Sequence, residues 1–183
     1  MMTEKFARMN CYVLAGGENH SKEHFRVDGE LTRLEKSYRR YAAVFEKVSL
    51  VLKRSQAKER YLNYPHLCDP SDKMSVAGAV AAALERADSE AVFIGSADFV
   101  DFPLELAARL VREYDGESFL GYADADSPQN LHQPLFGIYH KKLAGHLLDK
   151  VATTGDGLAS LLSRVGKLVP LPKDIPRDRV GLG

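Results

Sequence analysis

The chain has 183 residues, 45% of them hydrophobic and 27% charged, with 25 basic side chains set against 25 acidic ones. That is enough chain for one domain with a sizeable core, and a formal net charge of zero gives no excess field for nucleic acid or an anionic membrane surface. Two cysteines, Cys11 and Cys68, exclude a disulfide framework, and no apolar run reaches the roughly 18 residues that a membrane span needs. Residues 1–10 are polar and mixed in charge, unlike a secretory signal, so the expectation is a cytoplasmic protein.

Cys11-Tyr12-Val13-Leu14-Ala15 is an apolar run that ends in Gly16-Gly17, and it reads as a buried strand over 11–15. Glu18-Asn19-His20-Ser21-Lys22 follows at once. Glycines let backbone N–H groups approach an anion and a nearby ammonium adds positive charge, so this segment reads as a phosphate-binding loop. Its glycine spacing is neither the Walker pattern nor the dinucleotide fingerprint. Over the helix expected across 30–47, Leu31, Leu34, Tyr38, Tyr41, Ala42, Phe45 and, just past its end, Val48 recur at helical steps. The opposite face carries Arg33, Lys36, Arg39, Arg40 and Glu46, and the Arg39-Arg40 pair reads as solvated rather than bound to a polyanion.

Residues 48–52 predict a second strand, 76–87 an alanine-rich helix behind an N-cap at Ser75, and 91–94 a third strand. Pro103 suits the first turn of the next helix, where its missing N–H costs little. Strands are expected over 119–122 and 135–139, helices over 141–151 and 158–165, and an edge strand over 168–171. The tail 172–183 reads as loosely ordered. This alternation predicts an α/β fold in one domain, 1–183: three layers, with a Rossmann-like, mostly parallel sheet and helices on both faces.

Ligands of such sheets sit outside the carboxyl ends of the strands. Two ends stand out, Gly16-Gly17 and Gly95-Ser96-Ala97-Asp98. The Asp98 carboxylate suits either a hard divalent cation beside phosphates or the capping of a turn. Asp124 and Asp126 have the spacing of a turn, though paired carboxylates also hold metals.

Leu14-Ala15-Gly16-Gly17, a lysine ahead of Asp28-Gly29, Ser75-Val76-Ala77-Gly78, Gly95-Ser96-Ala97-Asp98 with Pro103, and Gln133-Pro134-Leu135-Phe136 come in a telling order. In that order the chain resembles the molybdenum cofactor guanylyltransferase (MobA-like) family of the nucleotidyltransferase superfamily, over about residues 11–171. The resemblance implies the fold of the nucleotide-diphospho-sugar transferases and a magnesium-dependent transfer of GMP from GTP to molybdopterin. Leu14, Ala15, Gly16, Gly17 and Lys22 would hold the nucleotide phosphates, with Ala77 and Gly78 against the base. Asp98 would hold Mg2+, Lys22 and Asp98 would carry the chemistry, and His132 and Gln133 would face the acceptor. GTP and molybdopterin are the implied ligands, with transient contact to molybdoenzyme maturation proteins.

The sequence also departs from the family. Only Glu18-Asn19-His20-Ser21 separates Gly17 from Lys22, so the family's Arg-Met-Gly is missing from the first loop. Lys22 and Arg26 are the cations near enough to replace that arginine. The family's late Asn-x-Asn-Thr-Pro segment has no clear counterpart up to Gly183. Two alternatives therefore stand beside the guanylyltransferase. One is a catalytically degenerate homologue that binds a nucleotide or cofactor; the other is a sister transferase using CTP or a sugar-phosphate acceptor.

Overall fold

The computed structural model describes residues 6–15, 25–57, 59–69, 75–124, 126–147, 149, 157–172 and 175. In chain order its elements are β1 (Phe6–Leu14), β2 (Val27–Asp28), β3 (Leu31–Thr32), α1 (Arg33–Ala42), β4 (Phe45–Lys53), β5 (His66–Asp69) and α2 (Val76–Arg86). Then follow β6 (Ala91–Ser96), α3 (Leu104–Glu113), β7 (Phe119–Ala123), β8 (Phe136–His140), α4 (Leu158–Val165) and β9 (Lys167–Pro170).

Seven strands form one sheet in the order β5-β4-β1-β6-β8-β7-β9, and β2 and β3 form a separate hairpin. Only β8 runs antiparallel to its neighbours β6 and β7. The other four pairings of the sheet are parallel: β1 with β4 and β6, β4 with β5, and β7 with β9. Strand order reverses at β1, because the chain moves outward through β4 and β5 and then returns to β6 on β1's other side.

Strand periodicity assigns the two faces. Cys11, Val13, Leu50, Leu52, Phe93 and Ile138 point to the layer built by α1 and α3, through Leu34, Tyr41, Leu106 and Leu110. Tyr12, Leu14, Val92, Ile94 and Tyr139 point to the opposite layer, where α2 and α4 contribute Val80, Leu84, Leu161 and Leu162. Central strands buried on both faces must read as continuous apolar runs, and β6 is buried at every position. The three-layer, mostly parallel expectation therefore holds.

Several boundaries differ from the sequence reading. β1 begins at Phe6, not at residue 11, because the Phe6 N–H donates to the Val44 carbonyl at 2.9 Å and starts the ladder early. α1 starts at Arg33 rather than residue 30: Leu31 and Thr32 pair back on Val27 and Asp28, with Gly29 (φ 71°) in the turn. Thr32 then caps α1, accepting from the Glu35 N–H while Glu35 reaches back to the Thr32 N–H at 2.6 Å. The helix ends at Ala42 because Phe45 and Val48, read as helical positions, belong to β4.

β5 was not foreseen. Its sequence, His-Leu-Cys-Asp, is neither alternating nor strongly apolar, and it is recruited as an edge by pairing with β4 from Leu50–His66 to Lys53–Asp69. Pro103 stands one residue before α3, at its N-cap, with its carbonyl accepting from the Leu106 N–H at 3.0 Å. The segment expected as a helix over 141–151 opens as a tight turn at Lys141–Leu143, and residues 148 and 150–151 lie outside the described set. Of the tail, Pro172 and Ile175 are described, and Ile175 packs against the core. Among the described residues no helix is long and apolar enough to cross a membrane.

Candidate functional site

The carboxyl ends of β1 and β6 lie side by side. Leu14 pairs with Ser96, and the Ala97 N–H donates to the Leu14 carbonyl at 2.9 Å. On the other flank the Ala15 N–H donates to Val51 O at 3.2 Å, and the Ala15 carbonyl accepts from Gln56 Nε2 at 3.3 Å. Gln56 is buried, and its Oε1 accepts from the Lys53 N–H at 2.9 Å, so one side chain ties the end of β1 to the end of β4. This crevice is where strand order reverses, the position at which open α/β sheets bind ligands.

Asp98 is an exposed residue in the turn that ends β6. Its Oδ2 accepts from the Ser96 hydroxyl at 2.8 Å, and its own N–H donates to Ser96 Oγ at 3.1 Å. The Ser96 hydroxyl thus both receives the Asp98 N–H of the turn and donates to the exposed Asp98 carboxylate. The Ser96 carbonyl is anchored from beneath by the Ser37 hydroxyl at 3.2 Å and the Tyr41 hydroxyl at 3.5 Å. Arg33 Nη2 donates to the Asp98 carbonyl at 3.1 Å. Serine, tyrosine and arginine of α1 therefore fix the β6 turn, and their spacing on the helix carried no signal of that task.

Among the described residues no three His, Cys, Asp or Glu side chains gather into a metal-binding group, and Asp98 is the carboxylate in the turn that ends β6. Magnesium keeps most of its waters and usually takes one or two carboxylates plus substrate phosphates, so a single fixed Asp98 suits it.

The remaining sequence candidates divide. Gly16, Gly17 and Lys22 lie outside the described residues. Ala77 is buried in the first turn of α2, and the Gly78 N–H is occupied by the Ser75 hydroxyl of the N-cap at 3.1 Å. His132 and Gln133 lie on the same edge of the sheet as Leu14 and Ser96. This follows from β8 running antiparallel, so that Phe136 at its start pairs with Gly95 near the end of β6. The His132 N–H donates to the Tyr122 carbonyl at 2.8 Å, and Gln133 Oε1 accepts from the Leu135 N–H at 3.2 Å. Asp124 accepts from the Asp126 N–H at 2.8 Å, a turn contact. Arg26 lines a cavity beside α1.

Glu35 secures the hairpin and α1 to the segment after β4. Its two oxygens accept from Arg60 at 2.9 and 2.7 Å, and Arg60 also donates to the Glu30 carbonyl at 2.7 Å. Burial pushes the Glu35 carboxyl up, but Arg60 and the Thr32 donors outweigh it and leave it below its ordinary value.

Solved structures share this architecture. The Aquifex aeolicus protein Aq1419 is 24% identical with a TM-score of 0.73, over 95% of this chain and 92% of that one. Molybdopterin-guanine dinucleotide biosynthesis protein A from Archaeoglobus fulgidus is 17% identical with a TM-score of 0.64, over 87% of this chain and 82% of its own. A 4-diphosphocytidyl-2C-methyl-D-erythritol synthase from Anaerococcus prevotii is 15% identical with a TM-score of 0.64, over 91% and 86%. No curated protein matches the chain by sequence. The model of the MobA-like NTP transferase domain matches residues 11–168, which takes in both strand ends of the crevice, and the chain belongs to that family.

Proposed function

We propose that the protein is a magnesium-dependent guanylyltransferase of the cytoplasm, one domain that attaches GMP from GTP to the phosphate of molybdopterin. The observation that carries this reading is the Leu14–Ala97 hydrogen bond, which sets the start of the first loop beside Asp98 in a chain of the MobA-like NTP transferase family. The acceptor phosphate oxygen attacks the α-phosphorus, the bond between the α-phosphorus and its bridging oxygen breaks, and pyrophosphate leaves.

The chain's part is alignment and charge. Backbone groups of Leu14, Ala15, Gly16 and Gly17, with the Lys22 ammonium, hold the triphosphate; Ala77 and Gly78 pack on the base. Asp98 holds the cation, and His132 and Gln133 face the acceptor. When bound, magnesium offsets charge on the phosphate oxygens.

A second reading, transfer from a cytidine donor, draws on the equal TM-score to the Anaerococcus prevotii synthase. Titrating GTP, CTP and GMP with and without magnesium, then following pyrophosphate release with molybdopterin present, tests both. Magnesium-dependent GTP binding with turnover is expected. Preference for CTP selects the second reading, and GMP binding without turnover identifies a degenerate binding protein and sinks the transferase.

A further inference from the structure

A cavity of about 890 Å³ runs beside α1, walled on one side by Val100 and Asp101 just past the β6 turn. Among its described lining residues are five cations, Arg26, Arg33, Lys36, Arg39 and Arg40, against the single carboxylate of Asp101. In a chain whose formal charges cancel, that is a strong local excess. Arg33, Lys36 and Arg40 recur at steps of three and four, so they form one row along the helix, about 10 Å long at 1.5 Å per residue.

Two of these side chains are held in place. Arg40 Nε donates to the Phe102 carbonyl at 2.8 Å, and its guanidinium lies over the Phe102 ring, 5.7 Å from the centroid. Arg33 is fixed by the Asp98 carbonyl, yet its Nε is buried and meets no hydrogen-bond acceptor among the described residues. A buried, charged N–H donor without an acceptor is costly, and an anion entering the cavity would supply one. Arg39 is exposed, as the sequence reading expects, and Arg40 is half-buried; both line this cavity.

We infer that this cavity binds a small, extended anion carrying two or more phosphate groups, at a site separate from the nucleotide crevice. Guanidinium forks match phosphate oxygens, and a row of cations suits successive phosphates better than one compact ion. The volume falls within the roughly 300–1,000 Å³ of small-molecule sites. The formal net charge of zero gives no overall excess to attract a nucleic acid.

The test is calorimetric titration of inorganic tripolyphosphate into the full chain in EDTA, where a cation-dependent nucleotide site is silent. Three proteins are compared: wild type, the Lys36→Gln/Arg39→Gln double variant, and Asp98→Asn. Wild type should bind tripolyphosphate at least about tenfold more tightly than orthophosphate, with affinity falling as salt rises. The double variant should lose about tenfold or more while keeping the wild-type circular dichroism melt, and Asp98→Asn should bind as wild type does. Equal affinity of wild type and double variant, equal affinity for orthophosphate, or no wild-type binding overturns the inference. A changed affinity in Asp98→Asn also overturns it, by tying the anion to the β6 turn rather than to the α1 row. Failure of the nucleotide reading is seen separately, in magnesium-dependent GTP binding.

Discussion

The ring of Tyr41 fills the space that a side chain at Gly95 would need: a Cβ built there would lie 2.7 Å from Cε1 and closer still to Cζ. Tyr41 is fully buried and packed against Phe102 at 4.7 Å, so it has nowhere to retreat. Gly95→Ala should therefore cost about 1–3 kcal/mol through overpacking. Because Tyr41 also reaches the Ser96 carbonyl, the variant should bind GTP more weakly as well. Thermal melts and nucleotide titration check the two effects together; an unchanged melt would show that the α1 layer gives way easily.

Asp98→Asn keeps an oxygen to accept from the Ser96 hydroxyl but removes the charge. Stability should stay within about 0.5 kcal/mol of wild type, since the residue is exposed. Magnesium-dependent nucleotidyl transfer should fall about a hundredfold or more. Pyrophosphate release measured beside a melting curve separates the outcomes.

Gln56→Leu removes the donor to the Ala15 carbonyl while leaving a side chain of similar size. Its effect is on position, since Gln56 reaches the site only through the backbone. The expected result is a nucleotide affinity weaker by about three- to tenfold, the worth of one net hydrogen bond. Gln56→Glu, which keeps an acceptor for the Lys53 N–H but not the donor, should behave alike at neutral pH. Unchanged affinity in both variants removes Gln56 from any positioning role.

Glu35 ties acid stability to its ion pair. Its folded-state value lies below the ordinary glutamate value of about 4.3, so its contribution is present above that value and is lost as pH falls through the lowered one. Glu35→Gln should lower the melting temperature at neutral pH and flatten its decline across that acid window. Melts of both proteins on a pH series check this; parallel curves would show that Arg60 contributes nothing there.

The layered sheet was readable because strands buried on both faces must be continuous apolar runs, as Ala91-Val92-Phe93-Ile94 is. The ends of β1 and β6 lie side by side, as the strand order expects, while Gly16 and Gly17 lie outside the described residues. β5 was not, since His66–Asp69 owes its strand conformation to β4 rather than to its own composition. The end of α1 was misplaced because Tyr41, Phe45 and Val48 keep helical spacing across a real change of element. Gln56, Ser37 and Arg33 were invisible as site supports, because a side chain's reach to a carbonyl 41, 59 or 65 positions away leaves no local pattern.

The reversed strand β8 means that the segment from Asp124 to Leu135 leaves and re-enters the sheet on one rim. Its two anchors, Ala123 and Phe136, belong to strands held in register on that rim by other pairs. Such a segment can be lengthened, shortened or exchanged between homologues without threading a new crossover beneath the sheet. On the function proposed above, in which His132 and Gln133 face the acceptor, this stretch is where acceptor preference would be exchanged.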